Sequence, residues 1–393
     1  MYKLTIGITI SLLFFSCFSP EKNVMVEQEL TYCARQVKKS FPFLADSTKL
    51  PRNIKAESKN WDCTSIYDWT SGFWPGILWY VYEYTQDNAI RRQAERFTSA
   101  LFPVANRRAE HHDLGFMMFC SLGNGYRLTQ NTLYRDILLR TADSLATLYN
   151  PTVGTICSWP GMRKKMQWPH NTIIDNMINL ELLFWASKNG GGKHLYRIAE
   201  RHAEVTMRNQ FRDDYSTCHV VVYDTITGRR ISQVTHQGYN NTSMWARGQA
   251  WAIYGFTMCY RETRNPAFLA TAERAADIYL AKLPADYIPY WDFNAPDIPH
   301  APRDASAAAI VASGLLELCQ VTTRSKATRY KKAALKMLAS LSSSYYQSRE
   351  QNNAFLLHST GHYPNQSEVD RSIIYADYYY IEALMRLKKL NGE

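Results

Sequence analysis

The chain has 393 residues, of which 46% are hydrophobic and 20% charged, and its net charge is +10. That is too apolar for a disordered chain and long enough for one large domain or two ordinary ones. The positive balance favours an acidic partner, but no Lys/Arg run is long enough for a nucleic-acid arm, and short clusters such as Arg163-Lys164-Lys165 read as solvated faces.

Lys3 precedes an apolar stretch over residues 4–18, short for a bilayer span. A basic start and a short apolar core read as an export signal over residues 1–16, to be set apart from the fold. Ser16-Cys17 resembles a bacterial lipoprotein cleavage site, although Phe14 and Phe15 depart from the usual pattern before it. The expectation is a protein lipidated at Cys17 and held by that lipid in the periplasm or outer membrane of a Gram-negative bacterium. Ordinary secretion and an uncleaved anchor are the alternatives.

Residues 21–393 then form the folded domain. Segments 21–40, 71–85, 89–103, 114–127, 130–148, 173–187, 193–211, 248–262, 266–283, 305–320, 326–346 and 377–390 each place apolar residues at helical spacing. They alternate strictly between a charged face and few charges at all. In NTLYRDILLRTADSLATLY the apolar positions fall between Arg135, Asp136, Arg140 and Asp143. A helix apolar on most sides is buried. Six buried helices inside six amphipathic ones predict an all-α fold, an (α/α)6 barrel. A superhelical array of helix pairs is the alternative. The exception is residues 212–235, where CHVVVYDTITGRRISQV carries β-branched runs about a Thr-Gly turn and predicts a small β-hairpin. Linkers rich in Pro, Gly and Ser are missing, so one domain is expected.

The eight cysteines are scattered without a C-x-x-C pair, and the ten histidines form no H-E-x-x-H. No metal site is expected from these patterns.

Several apolar helices open alike: Thr70-Ser71-Gly72, Asp113-Leu114-Gly115, Ala246-Arg247-Gly248, Arg303-Asp304-Ala305 and Ala376-Asp377-Tyr378. The polar residue is a helix cap in the plainest reading, and Asp304 and Asp377 are read so. In a barrel these starts ring one mouth, where free N–H groups and partial positive charge suit an anion. Asp113 would be kept ionised there, helped by His111 and His112. Asp175 sits between Ile173-Ile174 and Met177-Ile178, where desolvation should raise its pKa. Asn179, one helical turn on, is placed to orient it. Carboxylates in unlike environments make an acid/base pair, although a buried Asp bonded to Asn is as often structural. The run HQGYNNTSMWARGQAWAIYGF (236–256) gathers Gln237, Trp245, Arg247, Gln249 and Trp251 about a helix start. Arginine offers a fork for a carboxylate, and Trp faces stack on sugar rings.

DWTSGFWPGILW (68–79), HDLGFM (112–117), IIDNMINLELLFWAS (173–187), the 236–256 run, PRDASAAAIVASGLLEL (302–318) and YADYYYIEAL (375–384) together resemble the unsaturated glucuronyl hydrolases, glycoside hydrolase family 88. The match runs in order through nearly the whole mature chain. It implies an (α/α)6 barrel that removes the 4,5-unsaturated uronic acid left by polysaccharide lyases at a non-reducing end. It also implies Asp175 as general acid/base and Asp113 as its essential partner. Sugar platforms match Trp69, Trp159 and Trp245. Carboxylate and hydroxyl contacts match His112, His219, Gln237 and Arg247, and Trp251 lies beside them.

The implied reaction is hydration of a vinyl ether. Asp175 protonates C4, water adds at C5, and the hemiketal opens and expels the aglycone, so the spacing rule of ordinary glycosidase carboxylates does not apply. Near the C-terminus, HYPNQSEVDRSIIYADYYY (362–380) offers Ser367 and Arg371 to a sulfate without a clear motif. An unsaturated rhamnogalacturonyl hydrolase acting on pectin fragments and a non-catalytic glycan-binding lipoprotein are the competing readings.

Overall fold

The computed structural model describes residues 25–392. The expected signal, Cys17 and residues 21–24 lie outside them. In chain order the long helices are α1 (Val26–Ser40), α2 (Phe73–Thr85), α3 (Asn88–Ala100), α4 (Leu114–Met118, running on through a π turn, Phe119–Gly123, into Asn124–Thr129), α5 (Thr132–Ala146), α6 (Leu180–Lys188), α7 (Lys193–Asn209), α8 (Ala246–Thr263), α9 (Pro266–Lys282), α10 (Ala305–Leu318), α11 (Arg324–Leu341) and α12 (Ile374–Asn391). A 3-10 segment, Ile174–Asn179, leads into α6.

The even-numbered helices form the inner ring. α2 packs on α4, α4 on α6, α8 on the 3-10 segment and on α10, α10 on α12, and α12 back on α2, which closes the barrel. The odd-numbered helices pack outside them. Composition explains the sorting. α10 buries every residue except Glu317, whereas α3 buries only Ile90, Ala94, Phe97 and Thr98 along one stripe. Three outer helices are started by N-caps: Asp87, Asn131 and Asn265 accept the backbone N–H groups of Ala89, Leu133 and Ala267 at 2.8, 3.0 and 3.0 Å. Each such cap is worth about 1 kcal/mol.

The inner helices run parallel. Their starts surround one mouth of the barrel. Their ends (Glu83, Arg127, Arg261, Glu317 and Arg386) surround a cavity of about 880 Å³ at the other. There Arg261 bridges Glu181 and Glu317, and Arg386 bridges Glu317 and Glu382. Arginines at helix C-termini offset the negative dipole ends. Midway along the axis lies a chamber of about 380 Å³, lined in part by Tyr80, Tyr254, Tyr378, Glu382 and Arg386.

More strand is present than the one predicted hairpin. β1 (Lys49–Ile54) lies between β2 (Asp62–Ser65) and β8 (Ser372–Ile373), and β3 (Tyr149–Asn150) pairs with β4 (Thr155–Ile156). The predicted hairpin is β6 (Val220–Tyr223) and β7 (Arg230–Val234), and β5 (His170–Ile173) adds to it in the order β5-β6-β7. The β-branched run Thr172-Ile173-Ile174 thus begins in a sheet rather than opening a helix, which corrects the helix read over 173–187. β-branched residues opposite Val220 and Val221 pack well on a pleated surface.

Candidate active site

A cavity of about 350 Å³ opens at the mouth where the inner helices begin. Helix starts supply much of its wall: Trp69 before α2, Asp113 and Phe116 at α4, Asp175 and Ile178 in the 3-10 segment, Arg247 and Trp251 on α8, and Tyr375 on α12. Loops and β1 add Arg52, Trp159, Met162, His236, Gln237, His362 and Ser367.

Sheet register places Asp175. Ile173 pairs with Val220, and the Ile174 N–H donates to the His219 carbonyl at 3.0 Å, so the next residue, Asp175, emerges beside His219. The backbone N–H groups of His236 and Gln237 both donate to His219 Nδ1 at 3.1 Å. That nitrogen therefore carries no proton, and the ring N–H is on Nε2, 3.7 Å from Asp175 Oδ2. Burial, with His236, His362 and Arg247 adding to it, drives the His219 pKa well below its ordinary value, so the ring is neutral. Burial also raises the Asp175 carboxyl to about 7; Arg247 opposes this and Asp113 reinforces it. The Trp251 indole N–H comes close enough to favour the ionised form but completes no hydrogen bond.

Asp113 is held differently. Asn179 Oδ1 accepts the Phe116 N–H at 2.9 Å, which turns its amide nitrogen to His112 Nδ1 at 3.3 Å. The His112 proton is then on Nε2, 3.3 Å from Asp113 Oδ1, while His111 Nδ1 lies 3.1 Å from Oδ2. These are close contacts rather than aligned hydrogen bonds. Burial opposes ionisation of Asp113, yet His112 and His111 outweigh it and hold the carboxyl below its ordinary range. Burial lowers His112 itself to about 4, so near neutrality it serves Asp113 as an N–H donor. The His111 pKa, which burial would lower, is raised by Asp113. Gly115 permits this packing, because a Cβ there would stand 2.6 Å from Asn179 Oδ1.

Asn179 thus serves Asp113, not Asp175 as its spacing suggested. A 3-10 segment has three residues per turn, which puts Ile178 rather than Asn179 on the side of Asp175. Both Asp175 and Ile178 line the cavity.

Arg247 is fully committed. It pairs with Asp304 at 2.7 Å, donates to the carbonyls of Thr360 (2.5 Å) and Gly361, and lies 4.7 Å from the Trp245 ring centre. Asp304 also caps α10 through the Ser306 N–H at 3.1 Å, as expected. Asp377 is no cap. α12 begins three residues earlier, and the buried carboxylate accepts the N–H groups of Phe355 and Leu356 at 2.7 and 3.0 Å, pinning a loop.

Of the predicted site residues, Asp113, Asp175, Trp69, Trp159, Gln237, Arg247 and Trp251 line the cavity together. His112, His219 and Trp245 stand one layer behind it. For Trp245 this corrects the expected sugar platform: it is 3% exposed, with the His219 ring 4.6 Å from its own and the Arg247 guanidinium over it. Gln249 is buried and holds the Thr217 N–H. Ser367 reaches the wall, whereas Arg371 does not. Sequence reading missed Arg52, His236, His362 and Tyr375. Arg52 lies on β1, far from any motif, and bridges Asp68 (2.5 Å) and Glu368 (2.7 Å). His236 and Tyr375 lay inside runs already singled out, so position was their only signal.

Buried polar atoms without a partner gather at this wall and just behind it: Asp175 Oδ2, Trp251 Nε1 and Tyr375 Oη at the wall, and His219 Nε2 behind. Such groups normally find partners, so together they fit a polar, hydroxyl-rich occupant.

The profile of Glycosyl Hydrolase Family 88 matches residues 43–389. The chain belongs to glycoside hydrolase family 88. It is 46% identical, over 82% of its length and 80% of the relative's, to an unsaturated glucuronyl hydrolase of Formosa agariphila. It superposes with a TM-score of 0.89 and 38% identity on an unsaturated glucuronyl hydrolase specific for heparin, covering 94% of this chain and 98% of that one. A mutant unsaturated glucuronyl hydrolase of Streptococcus agalactiae, complexed with dGlcA-GalNAc6S, gives a TM-score of 0.79 at 30% identity, covering 92% and 91%. This family 88 chain therefore has the barrel that its helix alternation predicted.

Proposed function

We propose that this glycoside hydrolase removes 4,5-unsaturated uronic acid from the non-reducing end of lyase-generated oligosaccharides, with glycosaminoglycan fragments as the substrate class. The observation that carries the reading is Asp175: a carboxyl still protonated near neutrality, with a free oxygen beside a neutral imidazole and a carboxylate partner in the same cavity.

The residues divide the work. Asp175 gives its proton to C4 of the conjugated double bond, and positive charge develops at C5 and the ring oxygen. Asp175, now a carboxylate, takes a proton from the water that adds at C5, which restores its starting state. The hemiketal opens, and the aglycone leaves. Asp113 remains ionised and raises the proton affinity of Asp175. The His219 N–H steadies the carboxylate formed in mid-reaction. Arg247, already balanced by Asp304, sets a buried positive potential near the substrate carboxylate rather than a free fork. Trp69 and Trp159 flank the sugar. No step calls for a metal or cofactor.

Lyase-generated unsaturated disaccharides should lose their near-UV absorbance with the enzyme and keep it with Asp175→Asn. If no such disaccharide from any uronate polymer reacts, the reading fails. The named activities of the relatives favour glucuronyl over rhamnogalacturonyl substrates, and the raised Asp175 speaks against a purely binding role. We propose in addition that residues 1–16 are an export signal, that Cys17 carries lipid, and that residues 21–393 work as one domain at a membrane surface. Cys17→Ala should move the protein from membrane to soluble fractions.

A further inference from the structure

The basic turn Met162–Lys165 borders the cavity. Trp159 and Met162 both line it. The turn is tied down by the Met162 N–H to the Trp159 carbonyl (3.0 Å) and by Arg163 Nε to the Pro169 carbonyl (3.2 Å). Lys165 follows Met162 by one helical turn, beside the cavity but outside its lining. His236, whose ring packs on Trp159 with centres 5.3 Å apart, feels the Lys165 charge.

The other cations at the wall are already matched. Arg52 holds Asp68 and Glu368, and Arg247 holds Asp304. Lys165 is exposed and has no carboxylate partner among the described residues. A terminal uronate seated against Asp175 has its linked sugar on the side of the entrance, where this turn stands.

We propose that Lys165 is a specificity residue that receives a sulfate ester on the sugar next to the unsaturated uronate. This rests on the proposed function and extends it to the aglycone side of the site. Arg52 does not serve this role, because two carboxylates cancel its charge.

The test compares kcat/KM for matched sulfated and unsulfated unsaturated disaccharides. Lys165→Ala should lower the value for the sulfated substrate about two- to fivefold, the scale of an exposed charge pair, and leave the unsulfated one unchanged. Lys165→Glu should lower it further, and Lys165→Arg should restore it. Salt at about 0.5 M should erase the difference between wild type and Lys165→Ala. An active enzyme whose sulfated-to-unsulfated ratio is the same in all variants overturns the role of Lys165 alone. A wild type that turns over neither disaccharide overturns the proposed function, and this inference with it.

Discussion

Asp175→Asn keeps the shape of the side chain and removes its titration. In the wild type, the folded chain holds a proton on Asp175 from pH 3.8 up to about 7, a range in which the unfolded chain has lost it. The folded state therefore binds more protons, and stability falls as pH rises through this window; the loss is complete above about pH 7. Moving a pKa from 3.8 to about 7 corresponds to about 4 kcal/mol. The asparagine variant escapes that cost. Its stability relative to wild type should be lowest near pH 4, climb by about 4 kcal/mol, and level off by about pH 8. Thermal unfolding of the two proteins at a series of pH values reads this directly, as a gap in Tm that widens by several degrees. The same variant should have no hydrolase activity. A Tm gap that stays flat from pH 4 to pH 8 would refute the reasoning, because it would mean that Asp175 ionises like a solvent-exposed carboxyl.

Because Asp175 must start protonated, kcat/KM should decline above about pH 7, approaching tenfold per pH unit; a profile flat into the alkaline range would exclude Asp175 as the acid. Asn179→Ala strands the buried Phe116 N–H and frees the His112 ring, so denaturant unfolding should show a loss of about 1–3 kcal/mol, with kcat falling more than KM rises. Arg247→Ala leaves the Asp304 charge buried without its partner and should cost about 3–5 kcal/mol by the same measurement, whereas a loss under 1 kcal/mol would show that Asp304 is balanced elsewhere.

Helix alternation was legible in the sequence because it is a composition signal. α10 is apolar on nearly every side, and α3 has one stripe, so ring position could be read residue by residue. Asp113 and Asp175 were legible for the same reason, as charges out of place in apolar runs. What escaped depends on tertiary pairing. His219 became a neighbour of Asp175 only through the β5–β6 register, which joins segments far apart in the chain. Arg52 came from β1 and reached the wall because β1 pairs with β8, just ahead of Tyr375. Asn179 was misassigned because a 3-10 segment does not keep the α-helical period. Trp245 was matched to a sugar platform through the family resemblance; the structure covers its ring with His219 and Arg247.

Phe116 and Ile178 each face two cavities, the candidate site and the chamber midway along the axis. They stop the bore of the barrel just below the two aspartates. A polymer cannot thread such a barrel, so only a chain terminus reaches Asp175, and both products must back out through the entrance before another terminus comes in. The end left by the cut has no C4=C5 bond, so each chain gives one turnover. At equal mass, turnover should track the number of ends in the sample, and short oligosaccharides should be consumed faster than long ones bearing the same terminal sugar.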